Sequence, residues 1–395
     1  MAKREIAKST TKSRRIQPFY VMELLEKAQA LEAKGIDVVH MEIGEPDFPT
    51  PLPIREAAKK AIGDGRTFYT HSLGLKELRE RIAAHYAESR GVSVTPDRII
   101  VTNGTSGAFF LLSAVLLGRR RNLFISDPGY PCYRNFGILL DARVFPVPVS
   151  EESRFEVTAE HIEASRAVPH LLTICTPSNP TGTVYGEESL ARLAGSVRKR
   201  GGVMAIDEIY SGLTYEGEVP SALALSDEIV VIDGFSKTYA MTGWRLGWII
   251  VPQSLVRPLQ KVAQNVFISA PTIAQYAALE AFDAKAELLA MKQTYRERRD
   301  YLFPQLERLG FGLPARPSGA FYIYANIERW GMDSMEFAEK ALLEAHVAIT
   351  PGYDFGSHRA ASHVRFSYAN NMEQLKAGCR RLEAWLEGLQ GRAPR

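Results

Sequence analysis

Cysteine is almost absent from this chain. Cys132, Cys175 and Cys379 are scattered through 395 residues and odd in number. That excludes a disulfide framework, and no two have the close spacing of a structural metal site. Long apolar runs are missing too: residues 108–117 form the longest, interrupted by Ser113 and too short to span a bilayer. Charge of one sign is scarce in total. Forty-eight Lys and Arg against 45 Asp and Glu leave a formal +3, too little to imply a nucleic-acid or anionic-membrane partner. Much of the excess sits at the start, where Lys3, Arg4, Lys8, Lys12, Arg14 and Arg15 face Glu5 alone. That segment lacks the apolar core of a secretory signal; a flexible basic tail is the expected reading, a transit peptide the alternative. Repeats and low-complexity linkers are also lacking, and a soluble cytoplasmic protein is expected.

What is present is core material. With 46% apolar and 24% charged residues, the chain can build a large core or two domains. An amphipathic helix is predicted over about 22–34, then a strand over 38–43 and the turn Gly44-Glu45-Pro46-Asp47. Short apolar strands follow at 98–102, 122–126, 143–147, 170–175, 203–206, 229–232 and 246–251, several separated by helical patterns such as 108–117, 187–200 and 255–264. Continuous apolar strands alternating with helices predict an α/β fold, its mostly parallel sheet covered on both faces. The link before 246–251 is too short for a helical crossover, so that strand is expected to run antiparallel. Helices over 272–282 and 284–309 lead into a different texture. Strands at 320–325, 346–350 and 363–368 and a helix over 371–389 read as a smaller α+β unit. The expected division is a large domain over 50–290 and a small domain built from 1–49 and 291–395.

Ligands of open α/β sheets bind beyond the carboxyl ends of the strands, so the residues after each strand are the site candidates. After 98–102 comes Asn103-Gly104-Thr105-Ser106-Gly107, opening a helix whose free backbone N–H groups suit an anion; plain N-capping by Thr105 or Ser106 is the alternative. After 170–175 comes a turn, Thr176 to Gly182, in which Asn179 can face the crevice and Asn179–Pro180 is a candidate cis bond. After 203–206, Asp207 either caps a turn or holds a cationic ring nitrogen, with Tyr210 on the same side. After 229–232, Ser236-Lys237-Thr238 stands at a strand end. A lysine desolvated there has its ammonium form disfavoured and offers a nucleophilic amine. Eight residues on, Arg245 presents a planar fork suited to phosphate.

These features occur in a fixed order, and with them come IGEPDF (43–48), SNPTG (178–182), AIDEIY (205–210), FSKTYAMTGWRLGW (235–248) and VRFSYA (364–369). Over about residues 20–390 the chain resembles the fold-type-I pyridoxal-phosphate (PLP) enzymes, specifically the class I/II aminotransferases. The resemblance implies the PLP-dependent transferase fold: a mixed, mostly parallel seven-stranded sheet with helices on both faces, plus the smaller α+β domain. It implies transfer of an amino group from an L-amino acid to a 2-oxo acid by a ping-pong mechanism through pyridoxamine phosphate. Lys237 would carry PLP and move the substrate Cα proton, and Asp207 would pair with the pyridine nitrogen. Asn179 and Tyr210 would bond the phenolic oxygen, and Thr105, Ser106, Ser236 and Arg245 the phosphate, with Gly104 permitting close approach. Tyr130 would stack on the ring. Tyr69 is similar to the family tyrosine that reaches a neighbouring subunit's phosphate, which implies a homodimer. Arg365, with Gly44 and Asn179, would bind the substrate carboxylate. No metal is implied.

The substrate side-chain pocket departs from the family pattern. Helix 108–117 carries no Lys or Arg for a second carboxylate, and bulky Tyr353 stands in Pro351-Gly352-Tyr353-Asp354-Phe355-Gly356. Phe19, Tyr20, Tyr353 and Trp244 are candidates for an apolar or aromatic pocket, so a neutral or aromatic amino acid is the expected substrate. The same motifs serve PLP-dependent C–S β-lyases, which remain the alternative. A non-catalytic ligand-binding regulator is disfavoured by the full catalytic set.

Overall fold

The apolar runs become strands whose residues alternate between two cores. In this computed structural model, which describes residues 11–217 and 219–390, the strands in chain order are β1 (Val39–His40), β2 (Ile99–Thr102), β3 (Asn122–Asp127), β4 (Arg143–Pro148), β5 (Leu171–Cys175), β6 (Val203–Asp207), β7 (Val230–Gly234), β8 (Gly247–Ile250), β9 (Tyr322–Asn326), β10 (Val347–Ala348), β11 (Thr350–Pro351) and β12 (His363–Ser367). Seven form one sheet in the order β2-β8-β7-β6-β5-β3-β4. β8 is antiparallel to both neighbours and the remaining pairs are parallel. The β7–β8 link holds only the short turn Thr242–Trp244, so no helix can carry the chain back for a parallel pairing. Strand periodicity puts Ile100, Val230, Ile232 and Ile249 in one apolar core and Ile99, Val101, Val231 and Ile250 in the other. Both faces of the sheet are therefore covered.

Residues from both ends of the chain build two smaller sheets. β1 pairs in parallel with β10, and β12 lies between β11 and β9, antiparallel to each. Three expectations need correction here. The strand expected over 346–350 is broken at Ile349 into β10 and β11, because its two halves pair with different partners. The strand expected over 38–43 is only β1. The helix expected over 272–282 stops at Ala278 and continues as the turn Ala281–Asp283. Of the basic start, Lys3, Arg4, Glu5 and Lys8 lie outside the described residues, whereas Lys12, Arg14 and Arg15 belong to the short helix Thr11–Arg15. Among the described residues no helix is long and apolar enough to cross a membrane.

Candidate active site

Five strand ends deliver side chains to one cavity of about 460 Å³. Its lining includes Gly44, Thr105, Ser106, Tyr130, Asn179, Asp207, Tyr210, Ser236, Lys237, Arg245 and Arg365, nearly every residue singled out from the sequence. Lys237 follows β7, and its Nζ donates to the Gly44 carbonyl at 2.6 Å. Burial pushes its amine down to about 8; Glu45 opposes that shift, and Arg365 and Arg245 assist it. At neutral pH a real fraction is therefore the unprotonated nucleophile.

Asp207, at the end of β6, is buried; its Oδ2 accepts from Tyr133 Oη at 2.5 Å and its Oδ1 from the Ile209 N–H at 3.2 Å. It closes a turn and faces the cavity at once. Burial raises its carboxyl to about 7 against those two bonds. The site thus holds a carboxylate with neutral donors only, the environment that a cation would stabilise. At the other end, the helix Gly104–Leu116 begins with no side-chain cap. Thr105 and Ser106 therefore do not spend their hydroxyls on capping, and the first-turn N–H groups remain available to an anion. Gly104 has φ +66, and a Cβ there would lie 3.1 Å from Arg245 Nη2. This glycine adopts a left-handed turn and lets the guanidinium close on the helix start. Ser236 is buried beside it, and Arg245 Nη1 donates to Thr242 O at 2.8 Å.

Arg365 lies in β12, only 4% exposed. Nη1 donates to Asn179 Oδ1 at 2.9 Å; Nη2 donates to Glu42 O at 2.5 Å and Thr350 Oγ1 at 3.2 Å. Tyr322 and Phe355 present their ring faces at 4.3 and 4.8 Å from the guanidinium carbon. Its Nε is buried without a partner, a donor still lacking an acceptor. Segment 42–44 thus accepts from both the lysine and the arginine. His40 anchors it from behind: Nδ1 bonds buried Glu42 at 2.7 Å and Nε2 bonds Glu32 at 3.1 Å.

The arrangement offers an anion cradle, a carboxylate suited to a cationic ring, a nucleophilic amine between them and a buried cation for a carboxylate. The family model for aminotransferase class I and II matches residues 36–382. The chain belongs to this family. A curated (5-formylfuran-3-yl)methyl phosphate transaminase from Methanocaldococcus jannaschii is 39% identical, with 94% of this chain and 97% of that protein aligned. A valine–pyruvate aminotransferase from Mycobacterium tuberculosis is 36% identical over the same shares of each. The crystal structure of an aminotransferase from Mycobacterium tuberculosis superposes with a TM-score of 0.94 at 35% identity, covering 97% of this chain and all of that one. Aspartate aminotransferase from Thermus thermophilus, solved with maleate, gives 0.91 at 34%, covering 96% and all of that chain. The protein is an aminotransferase, and its family uses PLP.

Tyr69 does not line the cavity; it is 78% exposed beside Phe68 at 81%. Of the four aromatic residues expected around the substrate side chain, only Phe19 lines the aminotransferase cavity. Trp244 Nε1 donates to Thr50 Oγ1 at 3.0 Å and lines a separate hollow with Pro46 and Phe48, while Tyr20 and Tyr353 are absent from the lining. Their place is taken by Val21, Met22 and Leu25 from the helix Tyr20–Glu32, together with Ile43. Tyr133 on Asp207 and Tyr322 on Tyr210 (Oη to Oη 2.8 Å) were not singled out from the sequence. Nothing local marks them, although Tyr133 lies three residues after Tyr130 on the helix Pro131–Leu139.

Proposed function

We propose that this aminotransferase moves the amino group of an L-amino acid with a neutral side chain, aliphatic or aromatic, to a 2-oxo acid in two half-reactions at the cavity around Lys237. The observation that carries the reading is Arg365, a buried guanidinium with an unpartnered Nε lining the same cavity as a desolvated lysine amine. A substrate α-carboxylate supplies the missing acceptor, with Gly44 and Asn179 adding contacts.

The donor set fits pyridoxal 5'-phosphate. Thr105, Ser106, Ser236 and Arg245 would hold the phosphate beside Gly104, Asp207 the protonated ring nitrogen, Asn179 and Tyr210 the phenolic oxygen, and Tyr130 the ring face. When bound, the cofactor supplies an electron sink for negative charge at the substrate Cα. Lys237 is the base for the Cα proton, because burial keeps its amine close to neutrality in proton affinity. Tyr133 and the Ile209 N–H hold the Asp207 carboxylate in place.

The substrate class rests on the lining. Phe19, Val21, Met22, Leu25 and Ile43 form an apolar wall, and the lining cations Lys237, Arg245 and Arg365 already have roles. Glu45 on the same lining repels a second carboxylate. A valine–pyruvate enzyme among the relatives supports this choice, whereas the aspartate enzymes do not; the apolar wall favours the former.

Residues 50–290 would form the domain carrying Lys237, and 1–49 with 291–395 the domain carrying Arg365. A homodimer would place Tyr69 at a neighbour's phosphate end, and Leu52, Ile62, Phe68 and Tyr69 expose the apolar surface such a contact needs. Visible spectra of the purified holoenzyme test the chemistry. A band that disappears with a single neutral amino acid and returns with a 2-oxo acid is expected. Ammonia and pyruvate released from cystathionine without an acceptor acid would replace this reading with the lyase.

A further inference from the structure

At the amino ends of β3 and β4, the opposite end of the sheet from Lys237, a hollow of about 660 Å³ is lined by Arg15, Arg119, Arg120, Arg143 and Asp141. Three chain segments bring these arginines together: the helix Thr11–Arg15, the turn after the helix Gly104–Leu116, and the first residue of β4. The turn is tied to the strand by Arg143 N donating to Arg121 O at 2.9 Å. Arg120 and Asp141 both hold left-handed backbone, φ 69 and φ 60, a conformation disfavoured for residues with a Cβ. Asp141 places one carboxylate on the lining, its Oδ2 paired with Lys12 Nζ at 2.8 Å. Among the described residues, no hydrogen bond or ion pair engages the guanidinium of Arg15, Arg119, Arg120 or Arg143. With Lys12 counted, the cluster carries a formal +4, more than the +3 of the whole chain.

Like charges gathered on one hollow raise its positive potential and favour an anion there. Guanidinium forks match phosphate oxygens bidentately, and several forks converging on one hollow match several phosphate groups close together. Among the described residues no aromatic side chain lines the hollow, so they offer nothing for the bases of a single strand to stack on. We propose that this hollow binds a compact polyanion, a small molecule carrying two or more phosphate groups, at a site separate from the catalytic cavity.

The test is calorimetric titration of the holoenzyme, its catalytic cavity already loaded with cofactor, with inorganic tripolyphosphate. One saturable site per chain is expected, with monophosphate binding about tenfold weaker or worse. Arg119→Gln combined with Arg143→Gln should weaken tripolyphosphate by about tenfold or more, since two of the four guanidinium forks are lost. Transamination should stay at the wild-type rate, which also shows that the variant is folded. Arg15→Gln provides a second, independent variant with the same expected direction. No saturable binding at millimolar tripolyphosphate, or equal affinity in wild type and variants, overturns the proposal. So does a short duplex DNA or single-stranded RNA that binds more tightly than tripolyphosphate and is lost in the same variants.

Discussion

The two ends of the catalytic cavity are built differently. One end is polar and comes from the strand ends of a single sheet: Asp207 closes a strand, and Thr105, Asn179, Ser236 and Lys237 each stand two to four residues beyond one. The other is apolar and comes from Phe19, the helix Tyr20–Glu32 and Ile43, with that helix packed against β10 and β11 of the smaller sheets. Under the proposed function the polar end would serve chemistry common to every substrate, because its residues, with Arg365, would meet the cofactor and the α-carboxylate. The apolar wall would meet the only part of the substrate that differs from one amino acid to another. Damage to the first end should reduce turnover of all substrates alike; damage to the second should change which substrate is preferred.

The largest effect is expected from Lys237→Ala, which should lower kcat by about 10⁴-fold or more for every amino acid tested by steady-state assay. Substantial retained turnover would place the nucleophile elsewhere. Asp207→Asn should lower kcat by about 10²–10³-fold, as loss of one buried electrostatic contact does, and it carries a pH signature as well. Burial raises the folded carboxyl from 3.8 to about 7, so in the cofactor-free protein its stabilising contribution is complete below pH 3.8 and lost as pH rises through about 7. The melting temperature of Asp207→Asn relative to wild type should therefore climb across that window without cofactor, and much less with it. A difference flat in pH would mean that the carboxylate is not desolvated.

Arg365→Gln should cost about 3 kcal/mol in kcat/KM, roughly 10²-fold, the scale of breaking a buried charge pair. The loss should be equal for leucine, phenylalanine and alanine; unequal losses would move Arg365 from the carboxylate to the side chain. The smallest effect belongs to the apolar wall. Met22→Arg should lower kcat/KM for leucine and raise it for aspartate, each by about tenfold, while leaving the visible spectrum of the resting enzyme unchanged. Parallel changes for both substrates would show that helix Tyr20–Glu32 does not face the side chain.

The same contrast explains what could be read from the sequence. Lys237, Asp207 and Asn179 were legible because an apolar β-branched run announces a strand, and the residue after such a strand in an open α/β sheet faces the ligand crevice. The antiparallel turn of β8 was legible from the length of its link. Tyr322 was not, because it reaches Tyr210 from 112 positions away and nothing in its own neighbourhood marks it. Trp244 was misplaced for a related reason: an aromatic beside a site motif finds its partner in Thr50, 194 positions away, and turns out of the cavity. Val21, Met22 and Leu25 have the apolar spacing of any amphipathic helix, and only packing distinguishes a wall of the site from a core face.

The most direct test is the ratio of kcat/KM for leucine to that for aspartate, measured on the purified holoenzyme with one saturating 2-oxo acid. A ratio above about ten is expected from the apolar lining and from Glu45, which faces any second carboxylate. A ratio below one, with aspartate or glutamate preferred, would contradict it and assign the cavity to dicarboxylates.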